Sequence, residues 1–137
     1  MTPSHREWTI DSNTLHFEPP DVLWVEFRGV LTLQGATRIV DIYRELGESR
    51  PFFMMADMTE AEPLDPETGR YISEHVRSQW LQGIVYIGAR LVHKALARGI
   101  VLAAHLTELT DESALAKIHF VSTKDQAQEL LFQLRAR

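Results

Sequence analysis

A chain of 137 residues with 45% hydrophobic and 24% charged residues has the size and composition of one globular domain, which excludes a fibrous repeat or a wholly disordered polymer. It contains no cysteine, so disulfides, thiolate zinc sites, iron–sulfur clusters and a cysteine nucleophile are all excluded. A formal net charge of -5 repels a phosphate backbone and argues against nucleic acid as a partner.

Met1 to Glu7 carries no apolar core of the signal-peptide kind, and no run of ~18 apolar residues could cross a bilayer. A cytoplasmic protein that does not span a membrane is therefore expected. Trp8 and Ile10, then Leu15 and Phe17, alternate with polar residues around the turn formers Asp11, Ser12 and Asn13, which predicts a hairpin. Pro19, Pro20 and Asp21 form the next turn. Val22 to Arg28 then places Leu23, Val25 and Phe27 on one strand face and Trp24, Glu26 and Arg28 on the other.

Gly29 ends that strand, and Thr32 caps a helix in which Leu33, Ala36, Ile39, Val40, Tyr43 and Leu46 recur at helical spacing. Gly47 is read as its stop. Phe52 to Ala56 is a continuous apolar run, as a central strand covered on both faces requires, and Asp57 is expected to close it. Asp65 followed by Pro66 marks a second helix start, with Tyr71, Ile72, Val76 and Trp80 as the buried stripe. Ile84 to Ile87 reads as another strand, bounded by Gly83 and Gly88.

A third helix is expected to follow with Leu91, Val92, Ala95 and Leu96 inward, and to continue through Ile100 to Leu106. Ile118 and Phe120 lie on a last strand. Ser122 or Thr123 then caps a fourth helix that buries Ala127, Leu130, Leu131 and Leu134. Together these elements predict one α/β domain over residues 1–137: a mixed sheet with an N-terminal antiparallel meander and about four helices packed on it.

The order of elements resembles the STAS family, named for sulfate transporters and anti-sigma-factor antagonists, over about residues 20–137. The segments that carry it are Val25-Glu26-Phe27-Arg28-Gly29, Phe53-Met54-Met55-Ala56-Asp57-Met58-Thr59 and Asp65-Pro66-Glu67. More narrowly, the chain is similar to short bacterial STAS-like and SEC14-like proteins. The resemblance implies a STAS-like fold and a regulatory, protein-binding role. In the antagonist branch an Asp-Ser pair opens the helix at the place of Asp65, and the serine is the phosphorylated switch. Here Pro66 follows and has no hydroxyl, so only Thr59 and Thr68 could substitute.

Asp57, Glu60, Glu62, Asp65 and Glu67 are expected to form an acidic loop where α/β sheets usually bind their partners. A hard cation such as magnesium needs several converging oxygens, whereas Asp65 and Glu67 are accounted for by the positive end of a helix; no metal or cofactor is expected. Arg90, His93, Lys94 and Arg98 fall on one arc of the third helix, where they form either a solvated face or a grip for an acidic partner. Asp57, Thr59, Glu60, Glu62, Asp65, Thr68, Arg90, Lys94 and Arg98 therefore make up the candidate partner-binding surface. Trp24 covers either a second layer or a ligand, and with Ile100, Val101, Leu102 and Leu106 it lines a candidate ligand cavity or homodimer surface.

The six histidines include no His-Glu-x-x-His pair, and neither a nucleophile elbow nor a glycine-rich phosphate loop is present. These readings favour a non-enzymatic regulatory or protein-interaction domain with an unidentified protein partner. The alternative is a small carrier for a lipid or other apolar ligand, which the SEC14-like resemblance suggests. An enzyme built on the acidic loop lacks a paired base or nucleophile.

Overall fold

The computed structural model describes residues 6–62, 65–88 and 118–136. Six strands, β1 (Arg6–Ile10), β2 (Asn13–Glu18), β3 (Val22–Gly29), β4 (Phe52–Ala61), β5 (Leu81–Ile87) and β6 (Ile118–Val121), pair in chain order to form one sheet. β1 to β3 form an antiparallel meander, and β3 to β6 run parallel. The described helices are α1 (Leu33–Ser49), α2 (Pro66–His75) and α3 (Lys124–Arg135), with a short 3-10 turn at Ser78–Trp80. The α/β class and the meander followed by parallel strands are as expected. Three α-helices are described rather than four, and the helix expected from Leu91 onward lies outside the described residues.

Side-chain alternation assigns the two faces of the sheet. Leu15, Phe17, Leu23, Val25, Phe52, Met54, Ala56 and Ile84 point to the first face and pack with Ala36, Ile39, Tyr43 and Leu46 of α1. Val22, Phe53, Met55, Val85 and Ile87 point to the second face and pack with Ala127 and Leu131 of α3. β4 is thus buried on both sides, as its continuous apolar run requires.

Local capping places the helices. The Thr32 hydroxyl accepts the Gly35 amide at 2.9 Å, and Asp11, at the tip of the first hairpin with φ 55°, accepts both the amide and the hydroxyl of Thr32. A carboxylate at the positive end of a helix is favourable, so the hairpin tip and α1 hold each other. Gly35 has to be glycine here, because a Cβ would run into Asp11 Oδ2 and lie 3.1 Å from Leu31 Cδ1. The neighbouring Asn13 is fully buried rather than a solvated turn residue. Its amide donates to the Ile10 carbonyl at 3.1 Å, and its Oδ1 accepts the Arg28 amide at 2.8 Å. That amide lies where the β3–β4 register shifts, so Asn13 satisfies a donor the ladder leaves over.

Several boundaries differ from expectation for reasons of packing. Gly47 does not stop α1, which runs to Ser49 with Arg50 as C-cap. Instead Gly47 lets the helix backbone meet Trp80, since a Cβ there would lie 2.6 Å from Trp80 Cγ and 3.0 Å from its Cα. α2 ends at His75, so Val76 is its cap and Trp80 belongs to the 3-10 turn. β4 passes Asp57 and stays paired with β3 as far as Gly29 and Ala61. β5 begins at Leu81, and Gly83 lies inside it.

Replacing Gly47 by Ala should therefore destabilise the fold by about 1–3 kcal/mol through overpacking. Helix propensity alone predicts a gain of about 1 kcal/mol. Urea unfolding of Gly47→Ala distinguishes the two by sign.

Candidate functional site

The second face of the sheet changes character from one side to the other. One cross-strand row runs Thr14, Glu26, Asp57 and Ile87, and the next runs His16, Trp24, Met55 and Val85. The first row stays polar through Asp57 on β4 and turns apolar at Ile87 on β5; the second is polar at His16, aromatic at Trp24 and apolar from Met55 onward. α3 covers the apolar end, where Ala127 and Leu131 are buried and Leu130 and Leu134 are partly so.

α3 is held at both ends. At its start Thr123 and Gln126 form a capping box in which each side chain satisfies the other's backbone amide. At its end Arg135 pairs with Asp21, which is 5% exposed, in the turn between β2 and β3. Gln82 Nε2 approaches the same carboxylate at 3.4 Å, and the Asp21 carbonyl accepts the Phe53 amide at 2.8 Å.

Because the sheet extends beyond this helix, a groove of about 330 Å³ opens between them. Thr14, His16, Glu18, Trp24, Glu26, Asp57 and Ile87 line it from the sheet, and Lys124 and Gln128 from α3. Trp24 is half-buried; its Nε1 donates to Glu18 at 2.9 Å, and the Lys124 ammonium lies 5.0 Å from its ring centre. This is a cation–π contact. Asp57 Oδ1 accepts the Thr59 amide at 3.0 Å. Glu26 pairs with Arg28, which also reaches Glu60 at 3.4 Å, and the hydrogen bond and charge of Glu26 raise the Arg28 pKa. Three carboxylates against one ammonium leave the lining net negative when His16 is neutral.

The structure redistributes the residues singled out from sequence. Trp24 and Asp57, assigned to separate candidate sites, share this groove. The acidic stretch is not one loop: Asp57, Thr59 and Glu60 belong to β4, and the Glu62 amide donates to the Gly29 carbonyl at 3.1 Å. Among the described residues no group of three or more His, Cys, Asp or Glu side chains is placed to hold a metal.

Asp65 is the N-cap of α2, accepting the Thr68 amide at 2.9 Å and the Thr68 hydroxyl at 2.8 Å. Thr68 is fully buried, so of the two hydroxyls near the switch position only that of Thr59 is at the surface. Arg90, Lys94, Arg98, Ile100, Val101, Leu102 and Leu106 lie outside the described residues.

His16, Glu18, Glu26, Lys124 and Gln128 were not anticipated as site residues. Alternation does place Thr14, His16 and Glu18 together opposite Leu15 and Phe17. What they face depends on strand register.

Comparison with family models and with curated proteins finds no match for this chain. The groove's own chemistry therefore has to carry any reading of function.

The Thr68 amide and hydroxyl hold the Asp65 carboxyl below its ordinary pKa. Its stabilisation is then present above the ordinary carboxylate value and lost as pH falls through the depressed one. Asp65→Asn should keep an acceptor at the helix start but flatten the fall in melting temperature below about pH 4. A pH series of thermal melts on both chains checks this.

Proposed function

We propose that this chain is a non-enzymatic, STAS-like regulatory domain that acts in the cytoplasm by docking a protein partner across the second-face groove. The observation that supports it most is the groove itself. It is a trough of mixed polar and apolar lining, built on paired strands and a helix fixed at both ends, with an aromatic side chain, Trp24, among its lining residues. Rigid, concave surfaces of this kind suit recognition, because little ordering is required on binding.

The groove's carboxylates are engaged in holding neighbours: Glu18 orients the Trp24 indole, Glu26 pairs with Arg28, and Asp57 accepts a backbone amide. This is the behaviour of a shaped surface. The charged lining residues Glu18, Glu26, Asp57 and Lys124 suit a protein partner better than a lipid, whose apolar tail needs an apolar lining. The family resemblance supports the same reading. Pro66 in place of the family's serine implies that docking is not switched by phosphorylation at that position.

Affinity capture from the native host, using the wild type and Asp57→Arg, tests this directly. The expected result is a stoichiometric protein partner that the wild type holds and Asp57→Arg loses, with unchanged thermal melts. Native mass spectrometry of the freshly purified wild type should show no retained small apolar molecule. A stoichiometric lipid-sized mass would overturn the reading in favour of a carrier.

A further inference from the structure

The nature of the docked segment can be argued from the groove wall. Along α3, Lys124, Gln128 and Phe132 recur every fourth residue and so form one stripe. The first two line the groove. Phe132, next on that stripe, is 76% exposed and is one of two large hydrophobic side chains exposed among the described residues. A lone exposed aromatic is not by itself a docking site; Phe132 counts here because it continues the stripe whose first two residues line the groove.

The stripe spans about 12 Å from Lys124 to Phe132, the reach of about four residues of extended chain. At the Phe132 end α3 is tied to the β2–β3 turn through Arg135 and Asp21, close to Glu18; at the other end Lys124 and Asp57 line the same trough.

The charges are as specific as the length. Glu18 and Asp57 form no ion pair among the described residues, whereas Glu26 is neutralised by Arg28. The face of Trp24 already holds a cation, the ammonium of Lys124 at 5.0 Å. An aromatic face flanked by two carboxylates favours a cation, and a planar guanidinium stacks there better than an ammonium. The chain's own net charge of -5 makes a second copy a poor occupant.

We propose that the groove binds an extended basic segment of a partner protein. An arginine of that segment stacks on Trp24 between Glu18 and Asp57 in place of Lys124, and an apolar neighbour packs on Phe132. This rests on reading the chain as a docking domain and names the chemistry of what docks. Lys124 is then an internal competitor, which holds the platform in order until a better cation arrives.

The test is fluorescence anisotropy at low ionic strength with a labelled, end-blocked Arg-Leu-Arg-Leu peptide and its Glu-Leu-Glu-Leu counterpart, on the full chain. The basic peptide should bind and the acidic one should not. Glu18→Gln combined with Asp57→Asn should weaken binding about tenfold and reduce its salt dependence. Lys124→Gln should strengthen binding several-fold, a gain that general loss of structure cannot produce. Phe132→Ala should weaken binding while leaving the salt dependence unchanged. Equal binding of both peptides, no binding of the basic one, or weaker binding by Lys124→Gln would overturn the proposal. A natural partner held equally well by the wild type and by the Glu18→Gln, Asp57→Asn chain would also overturn it, while leaving the docking-domain reading intact.

Discussion

The burial of β4 on both faces is the constraint from which the rest of the structure follows. Phe52, Met54 and Ala56 on one side and Phe53 and Met55 on the other are all withdrawn from water. A large apolar side chain contributes about 1.5–3 kcal/mol when fully buried, so neither face of this strand can be left bare. α1 covers the first face, supported by α2 and the Trp80 turn. Among the described helices, α3 alone covers the second. A helix about 10 Å across spans two or three strands spaced about 4.8 Å apart, and the sheet has six. Among the described residues β2, which it does not reach, carries Thr14, His16 and Glu18 on that face, and the groove lies between them and the helix.

Because the groove lies against the helix, its shape depends on how firmly α3 is placed. The capping box at Thr123 and the Arg135–Asp21 pair fix its two ends, and Asp21 in turn anchors the start of β4 through the Phe53 amide. Removing the partner of a buried carboxylate is costly. The pair is therefore a positional device as much as a stabilising one: it sets the distance between the Lys124–Gln128 stripe and the β2–β3 surface. A second long-range device, Asp11 on Thr32, fixes the hairpin that supplies His16 and Glu18. Two carboxylates remote in sequence thus hold the two walls.

Features governed by local chemistry were legible in the sequence. The caps at Thr32 and Asp65 and the doubly covered run Phe52 to Ala56 are where the pattern puts them, and of Ser122 and Thr123 the second is the cap, because a cap needs only its own first turn and a buried strand only its own composition. Features that depend on distant partners were not. Gly47 has the look of a helix stop until Trp80 is placed against it, and Asn13 that of a turn residue until the Arg28 amide is seen to need an acceptor. Asp57 resembled a strand end because acids are poor strand formers, and pairing with β5 does end there, yet pairing with β3 carries the strand on to Ala61. The groove was half legible. Trp24 was recognised as facing away from Leu23 and Val25, but the register that sets it beside His16 and next to the Asp57 row is a property of pairing.

Docking requires the groove to be open in solution with Trp24 in its lining. The most direct measurement is quenching of tryptophan fluorescence by a neutral quencher, taken as the difference between the wild type and Trp24→Phe, which isolates Trp24 from Trp8 and the buried Trp80. The account predicts a Trp24 contribution quenched as a half-exposed side chain is, and protected when the basic peptide binds. A Trp24 contribution shielded from the quencher in the free protein, as that of a core residue would be, would mean that the second face is closed, and would contradict it.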